Sequence, residues 1–536
     1  MCATYDDGVG WSRCRRYQPI SHPPTPTRTP EPRSQVPLGP CAEPARRAGS
    51  SLRRVARLVG CSAVVIGAGQ GGLSAAIHLR LKGYDVRVLE RHDHCGGKAA
   101  ALEVEGFRLD PGPSIIILAD IYRRVFEAAG RRMEDYLEFR RLDPITRVFF
   151  GKDGPIDLPA GFEACRERLR DFAPGDVPGF EELFRKLESV APFVEKTVFD
   201  HPIEKGWQLA DPRFLAIGMR FDVRKSYREL VDGWFTSPLM RSFFYGFPSY
   251  SGNSYESKAA GALLIPYYML AQGVWWPEGG VGAIPAAFER LARELGVEIL
   301  MGRDVVGYEH KEGRLRSVTD STGERHEAEA FVANVDRSTI RRAIFGDPLP
   351  RPSFSYFTLH WGLDHRLENT EHHTLIVPED FEKGFTELYD QRTFPTKPIV
   401  YLNDTTTTDP GTAPVGSTNL FAVVTAPGDE PSVGYRERSV EYGERVRRAC
   451  GSVGIEIGTP VFERLQNPPY FAEAHGNAGG SLYGPDEPLR AFGGLLPLPP
   501  RDPDLKNLVY CGGSVQPGAG LPMVTLSGKF AAMALP

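Results

Sequence analysis

Gly67-Ala68-Gly69-Gln70-Gly71-Gly72 fits G-x-G-x-x-G, and an acid, Glu90, stands roughly 20 residues beyond its start. Residues of these types at this spacing can capture a pyrophosphate and a ribose. Gly67 permits the tight turn, Gly69 lets the backbone approach the pyrophosphate, and Gly72 lets a helix pack closely on a strand. A carboxylate at position 90 accepts hydrogen bonds from ribose hydroxyls and repels a 2′-phosphate, which disfavours NADP. The chemistry is that of binding the ADP half of a dinucleotide.

In a chain with 57 glycines the turn alone carries little weight, so the elements around it decide. Val64, Val65 and Ile66 form a β-branched run that reads as a buried parallel strand. A helix is predicted from about Gln70 to Lys82, aiming its N-terminal N–H groups at the phosphates. Residues 85–90, DVRVLE, form the next strand and end on the acid. Arg91 and then Gly96-Gly97-Lys98 follow, and both cations can neutralise phosphate charge, Lys98 as a point charge and Arg91 through its planar fork. This segment resembles the loop that folds back over the pyrophosphate in flavoproteins of the glutathione-reductase-like and amine-oxidase-like kind, which favours FAD over NAD.

At 536 residues the chain allows two to four domains, and a net charge of -5 gives no general reason to bind nucleic acid. Eight scattered cysteines without C-x-x-C read as reduced thiols, with no metal site and no disulfide framework. Residues 1–58 hold nine prolines, ten arginines, no lysine and four acids, too little apolar surface to offset chain entropy. They are expected to form a disordered, dispensable tail; an organelle-targeting leader is the competing reading. Residues 259–277, AAGALLIPYYMLAQGVWWP, run 19 residues without a charge, but Pro266, Gln272 and Gly273 interrupt them. The expectation is a buried or membrane-facing element lining an apolar cavity, in a cytoplasmic protein peripheral to a membrane.

The chain is expected to return to the nucleotide domain twice. The expected organisation is a first nucleotide segment at 59–150, a mostly helical substrate or membrane-facing region at 151–278, a second nucleotide segment at 279–345, an antiparallel-sheet substrate domain at 346–484, and a last nucleotide segment at 485–536. A strand pair is expected, one member at about 307–317 and the other at 325–334, and strand signals at 353–425 suggest the antiparallel sheet. Near the end, NLVYCGG (507–513) reads as a strand into a glycine turn and QPGAGLPMV (516–524) as the opening of the last helix. The fold class is α/β: a Rossmann-like dinucleotide domain with an inserted α+β substrate domain.

Taken in order, GAGQGGLSAAIHL, ERHDHCGGK, FRLDPGPS, WWPEGG, HHTL, DPGTAPVG and YCGGSVQPGAGLP resemble the bacterial-type phytoene desaturase family of carotenoid desaturases, over nearly all of residues 61–532. The resemblance implies noncovalent FAD held by Gly67, Ala68, Gly69, Gly71, Gly72, Glu90, Arg91, Gly97 and Lys98. It places Pro113, Ser114, Gly513, Pro522 and Val524 near the flavin and Val305 near the adenine. It further implies a long polyene substrate in a tunnel, with oxygen or a quinone as terminal acceptor. This chain departs from the family at Lys98, where arginine is common, and at Gln516, where His-Pro-Gly often stands. Relatives with the same skeleton act as ketolases, isomerases and saturases.

Desaturation removes a hydride and a proton from adjacent carbons, so FAD must take the hydride and some group the proton. His360, His372, His373 and Glu278 are the candidates, and the sequence singles out none of them. Two competing functions use the same nucleotide motifs: a flavin amine or porphyrinogen oxidase, and a flavin-free carrier of prenylated proteins. The apolar character of residues 259–277 disfavours the first. The intact glycine turn, Glu90 and PGAGLP disfavour the second.

Overall fold

The computed structural model describes residues 61–151, 154–222, 224–486 and 496–536. The expected tail at 1–58 lies outside the described residues. Strand β1 (Ser62–Ile66), helix α1 (Gln70–Lys82) and strand β2 (Asp85–Leu89) form the first unit. Three more strands complete a five-stranded sheet in the order Leu508–Tyr510, Ala330–Ala333, β1, β2, Glu298–Leu300. Every pairing in it is parallel. Parallel sheets are covered on both faces, and the three central or C-terminal strands, β1, Ala330–Ala333 and Leu508–Tyr510, accordingly read as nearly continuous apolar runs. Distant segments of sequence thus meet beside one glycine turn.

The strands at 298–300 and 330–333 are joined by an antiparallel meander, Val305–Lys311, Arg314–Asp320 and Arg325–Glu327. The strand expected over 325–334 is therefore two strands with different partners. Close backbone packing fixes the helices on this sheet. A Cβ at Gly72 would stand 2.1 Å from the Gly67 carbonyl oxygen, and one at Gly528 would stand 2.3 Å from the Gly71 oxygen. Gly72 lets α1 sit close on the end of β1, and Gly528 lets the C-terminal helix, Leu521–Ala534, lie directly against α1.

A seven-stranded sheet has the order Phe462–Gln466, Ser355–Leu363, Thr418–Ala426, Val400–Asp404, His373–Val377, Thr146–Phe150, Ile156–Leu158. It is antiparallel except where Thr146–Phe150 runs parallel to His373–Val377. The boundary expected at residue 150 cuts through this arrangement, since the 146–158 hairpin belongs to the sheet drawn mainly from 355–466. Alternation sorts its two faces. Phe357, Leu359, Trp361, Ile376, Val400, Leu402, Leu420, Ala422 and Val424 pack into one core with Tyr442, Val446 and Cys450 of the helix Tyr435–Gly451. The opposite face looks into a cavity.

Helices Phe162–Phe172, Val177–Thr197, Pro212–Phe221, Tyr227–Asp232 and Pro238–Tyr245 follow the 146–158 hairpin. Residues 259–277 form a 3-10 turn, the eight-residue helix Leu264–Ala271 and the strand Trp275–Pro277, which pairs with Phe139–Arg141. Among the described residues no helix is long and apolar enough to cross a membrane.

Candidate dinucleotide site and apolar cavity

The glycine turn is held by its own backbone and by one carboxylate. Gly67 sits at φ +94°, a conformation glycine adopts without penalty, and its N–H donates to the Leu89 carbonyl at 2.7 Å. The buried Glu90 accepts from the Ala68 N–H at 2.7 Å and from the His92 N–H at 2.9 Å. No side chain caps the N-terminus of α1 and its first turn holds no acid, so its leading N–H groups are left to an incoming anion. Behind the turn, a Cβ on Gly69 would meet the Asn334 Oδ1 at 2.7 Å and one on Gly71 the Asn334 Nδ2 at 2.9 Å.

This turn opens into a cavity of about 1070 Å³. Of the residues expected at the site, Gly67, Gly69, Gly71, Glu90, Arg91, Gly97, Lys98, Pro113, Ser114, Val305, Gly513, Pro522 and Val524 all line it. Ala68 and Gly72 do not; Ala68 is fully buried beneath the turn, and Gly72 is the packing contact between α1 and β1. Arg91 is exposed at the rim. Lys98 donates to the Asn477 Oδ1 at 3.0 Å, and burial brings its ammonium down to about 8 against the opposing pull of Asp336. Asp336 is itself raised, chiefly by burial.

The same cavity continues into an apolar region. Leu187, Val190 and Val194 of the long helix Val177–Thr197, with Ile217, Leu264 and Ile265, line its wall. Its floor is the open face of the seven-stranded sheet, carrying His373, Leu375, Tyr401, Phe421 and Val423. Tyr268 also lines it, and its hydroxyl is buried without a partner.

The four candidates for proton handling separate clearly. Glu278 is half exposed and ion-paired with Arg140 at 3.8 Å, away from the cavity. His360 stacks on Phe421 at 4.1 Å between ring centroids, behind the cavity surface. His372 lies against Trp276 and its Nδ1 is 2.8 Å from the Thr408 Oγ1. Only His373 lines the cavity. Gln516 serves a structural purpose: its Oε1 accepts from the Ile203 N–H at 2.7 Å and its Nε2 donates to the Ile203 carbonyl at 2.9 Å. The cluster Asp320, Glu324, His326 has metal-binding composition, but the Arg303 guanidinium sits on it, 2.9 Å from Asp320 and 3.1 Å from Glu324.

Sequence reasoning missed Asn334, which backs the glycine turn, and Tyr401, whose hydroxyl is 2.7 Å from the His373 Nδ1. Asn334 follows directly on a strand that the sequence reading did return to the nucleotide domain, so the end of that strand is where it could have been sought.

A parallel sheet with a glycine turn at the carboxyl end of its first strand, opening on a large cavity, defines a dinucleotide-binding protein. The profile of the flavin containing amine oxidoreductase family matches residues 71–536. A zeta-carotene-forming phytoene desaturase of Myxococcus xanthus is 32% identical over 488 residues, covering 87% of this chain and 92% of that protein. A 4,4'-diapolycopene oxygenase of a Methylomonas species is 30% identical over 485 residues, covering 87% and 96%. An oxidoreductase from Methanosarcina mazei of known structure shares the fold with a TM-score of 0.59 at 16% identity, over 87% of this chain and 99% of that one. The chain belongs to the flavin-containing amine oxidoreductases and, within them, to the bacterial carotenoid desaturase family. It is an FAD-dependent oxidoreductase. The residues present fit that cofactor: the uncapped N-terminus of α1 suits a pyrophosphate, the buried Glu90 a ribose, and the side chain of Gln70, on the cavity wall, keeps an unpartnered buried Oε1.

Proposed function

We propose that this protein dehydrogenates an acyclic carotenoid drawn from a membrane. The observation that carries this reading is the continuity of one cavity from the glycine turn to an apolar wall of side chains on the helices at 177–197, 212–221 and 264–271. Gly67, Gly69 and Gly71 would form the pyrophosphate cradle, with Ala68 and Gly72 packed behind it to hold the turn in shape; Glu90 would hold the ribose, and Val305 would flank the adenine. Arg91, Gly97 and Lys98 would close over the phosphates, with Pro113, Ser114, Gly513, Pro522 and Val524 beside the isoalloxazine. Bound FAD supplies a two-electron acceptor for hydride, re-oxidised by oxygen or a quinone. The chain itself orients the polyene along the sheet floor and keeps water from the reacting carbons.

Lys98 gives this assignment a pH signature. An anionic pyrophosphate binds best when the ammonium is protonated, and in the empty site that proton is lost above about 8. FAD affinity should therefore be flat below that pH and fall by up to roughly tenfold per unit above it, until the pKa of the occupied site is reached. Titration of apoprotein with FAD between about pH 7 and pH 9.5 checks this. Lys98→Met should flatten the profile, and an unchanged slope in that variant would remove Lys98 from the phosphate site.

The substrate also dictates a docking mode. At about 0.8 kcal/mol per buried methylene-like carbon, bringing a forty-carbon hydrocarbon into water costs on the order of 30 kcal/mol as an upper bound. The chain must take it directly from a bilayer. The exposed apolar surface that suits this lies outside residues 259–277. Trp207, in the 3-10 turn Gly206–Ala210, and Leu215 and Met219 of the helix Pro212–Phe221 are 72%, 65% and 73% exposed, while Phe214, Ile217 and Phe221 of that helix line the cavity. Lys205, Arg220 and Lys225 are exposed in the same stretch of chain and suit anionic headgroups, while the neighbouring Arg224 is paired with Asp222. Replacing Trp207, Leu215 and Met219 together by serine should lower partitioning onto anionic vesicles at least about tenfold, since each apolar side chain contributes about 1.5–3 kcal/mol when buried. Turnover of detergent-dispersed carotene should be unchanged. Full vesicle binding by the triple variant would move the docking face elsewhere.

Oxygenation of a polyene is the second reading, favoured by the similarity to the Methylomonas oxygenase. Mass spectrometry of the product separates the two, by loss of hydrogen or gain of oxygen.

A further inference from the structure

The floor of the cavity brings together two polar residues from neighbouring strands. His373 lies on the strand His373–Val377 and Tyr401 on the neighbouring strand Val400–Asp404. The antiparallel register sets His373 opposite Asn403 and Leu375 opposite Tyr401. His373 and Tyr401 are therefore diagonal neighbours on one face, within reach of aromatic side chains. Their polar atoms meet, Tyr401 Oη to His373 Nδ1 at 2.7 Å. Both residues line the cavity, as do Ser114 and Thr146 beside them. A side-chain hydrogen bond from Ser114 also bears on the Tyr401 hydroxyl. His373 Nε2 is buried with no partner, and the His372 ring stands edge-on to the imidazole, 4.6 Å between centroids.

Resting on the dehydrogenase reading above, we propose that Tyr401 and His373 act as a proton relay that receives the proton released when the new double bond forms. One C–H bond of the polyene breaks with its electron pair, as hydride to the flavin. The C–H bond on the neighbouring carbon breaks in the same step, its electron pair closing the new C=C bond, so that hydride reaches the flavin only as the proton leaves. Its proton passes to Tyr401 Oη as the Tyr401 O–H proton passes to His373 Nδ1, which leaves a neutral tyrosine and an imidazolium. Burial favours a neutral imidazole beforehand, so the ring is in the accepting form, and it holds the phenol in its protonated form, ready to donate. His360 and Glu278 cannot serve in this place, since neither lines the cavity.

The test uses the flavin-loaded full chain under anaerobic conditions. Phytoene and 4,4'-diaponeurosporene, each in phosphatidylcholine vesicles, are mixed with the enzyme while flavin bleaching is followed. Tyr401→Phe keeps the ring and its packing, and should retain flavin while slowing bleaching by about a hundredfold or more, the usual scale of general acid–base catalysis. His373→Gln should be slowed similarly, and the double variant no further, because the two act as one unit. Wild-type bleaching should be slower in deuterated water, and Tyr401→Phe should lose that dependence, which a merely structural role would not do. A fluorinated tyrosine at 401, which alters acidity with almost no change of shape, should also alter the rate. Wild-type bleaching rates in Tyr401→Phe, or no solvent isotope effect in the wild type, would overturn the relay. Failure of both carotenoids to bleach the wild-type flavin would instead overturn the reading on which the relay rests.

Discussion

Gly72→Ala is expected to yield protein without flavin and with stability lowered by at least about 3 kcal/mol, at the upper end of the cost of overpacking. The added Cβ would fall 2.1 Å from the Gly67 carbonyl oxygen and 3.2 Å from the Asn334 Cβ and Oδ1. The first of these is a backbone atom of the turn that must receive the pyrophosphate. Accommodating the methyl group means pushing α1 off β1, and α1 is also clamped from its other side by Gly528, so the shift would spread into the C-terminal helix. Flavin absorbance of the purified variant and its denaturant midpoint check this. Gly175→Ala is the control, because nothing lies within 4 Å of a Cβ there. Equal losses in both variants would mean that the effect comes from glycine in general and not from the contact.

Glu90→Ala should weaken FAD binding by about 1.5–3 kcal/mol, roughly tenfold to a hundredfold, for loss of a charged acceptor. The structure adds a second expected consequence. The same carboxylate latches the Ala68 and His92 N–H groups, so the variant loses both the ribose acceptor and the hydrogen bonds that shape the turn. Glu90→Gln separates the two effects: one amide oxygen can still accept from Ala68, but the charge is gone. Its affinity should fall between those of wild type and Glu90→Ala. Equilibrium titration with FAD measures all three, and wild-type affinity in Glu90→Ala would place the ribose elsewhere.

The nucleotide half was legible because its signals are local. Glycines that permit a turn, a β-branched strand and a carboxylate at the end of the next strand lie within about thirty residues, and the helix formed over the expected span, Gln70–Lys82. The far half was less so. Tyr401 and His373 meet only through strand register, which depends on a sheet spread over several hundred residues. The hairpin at 146–158 reads as the end of one domain until its partner strand at 373–377 is known. Hydrophobicity located the inner apolar element but not the outer one. Residues 259–277 supply buried side chains, Tyr268, Met269 and Trp276, and several of them line the cavity as expected, whereas the exposed apolar side chains at 207, 215 and 219 sit among charges that hid them. The departure at Gln516 is explained by its two hydrogen bonds to Ile203, a need that no local pattern announces.

On the proposed reading, one cavity holds a flavin and a membrane-derived polyene in reacting contact. Anaerobic mixing of the purified, flavin-loaded protein with carotenoid-bearing vesicles puts this to the test, following the flavin band and the polyene band in the same cuvette. The flavin is expected to bleach as a longer conjugated system appears in equal amount, and to stay oxidised when spermidine or putrescine replaces the carotenoid. Bleaching by the amines with none by the carotenoids would contradict it.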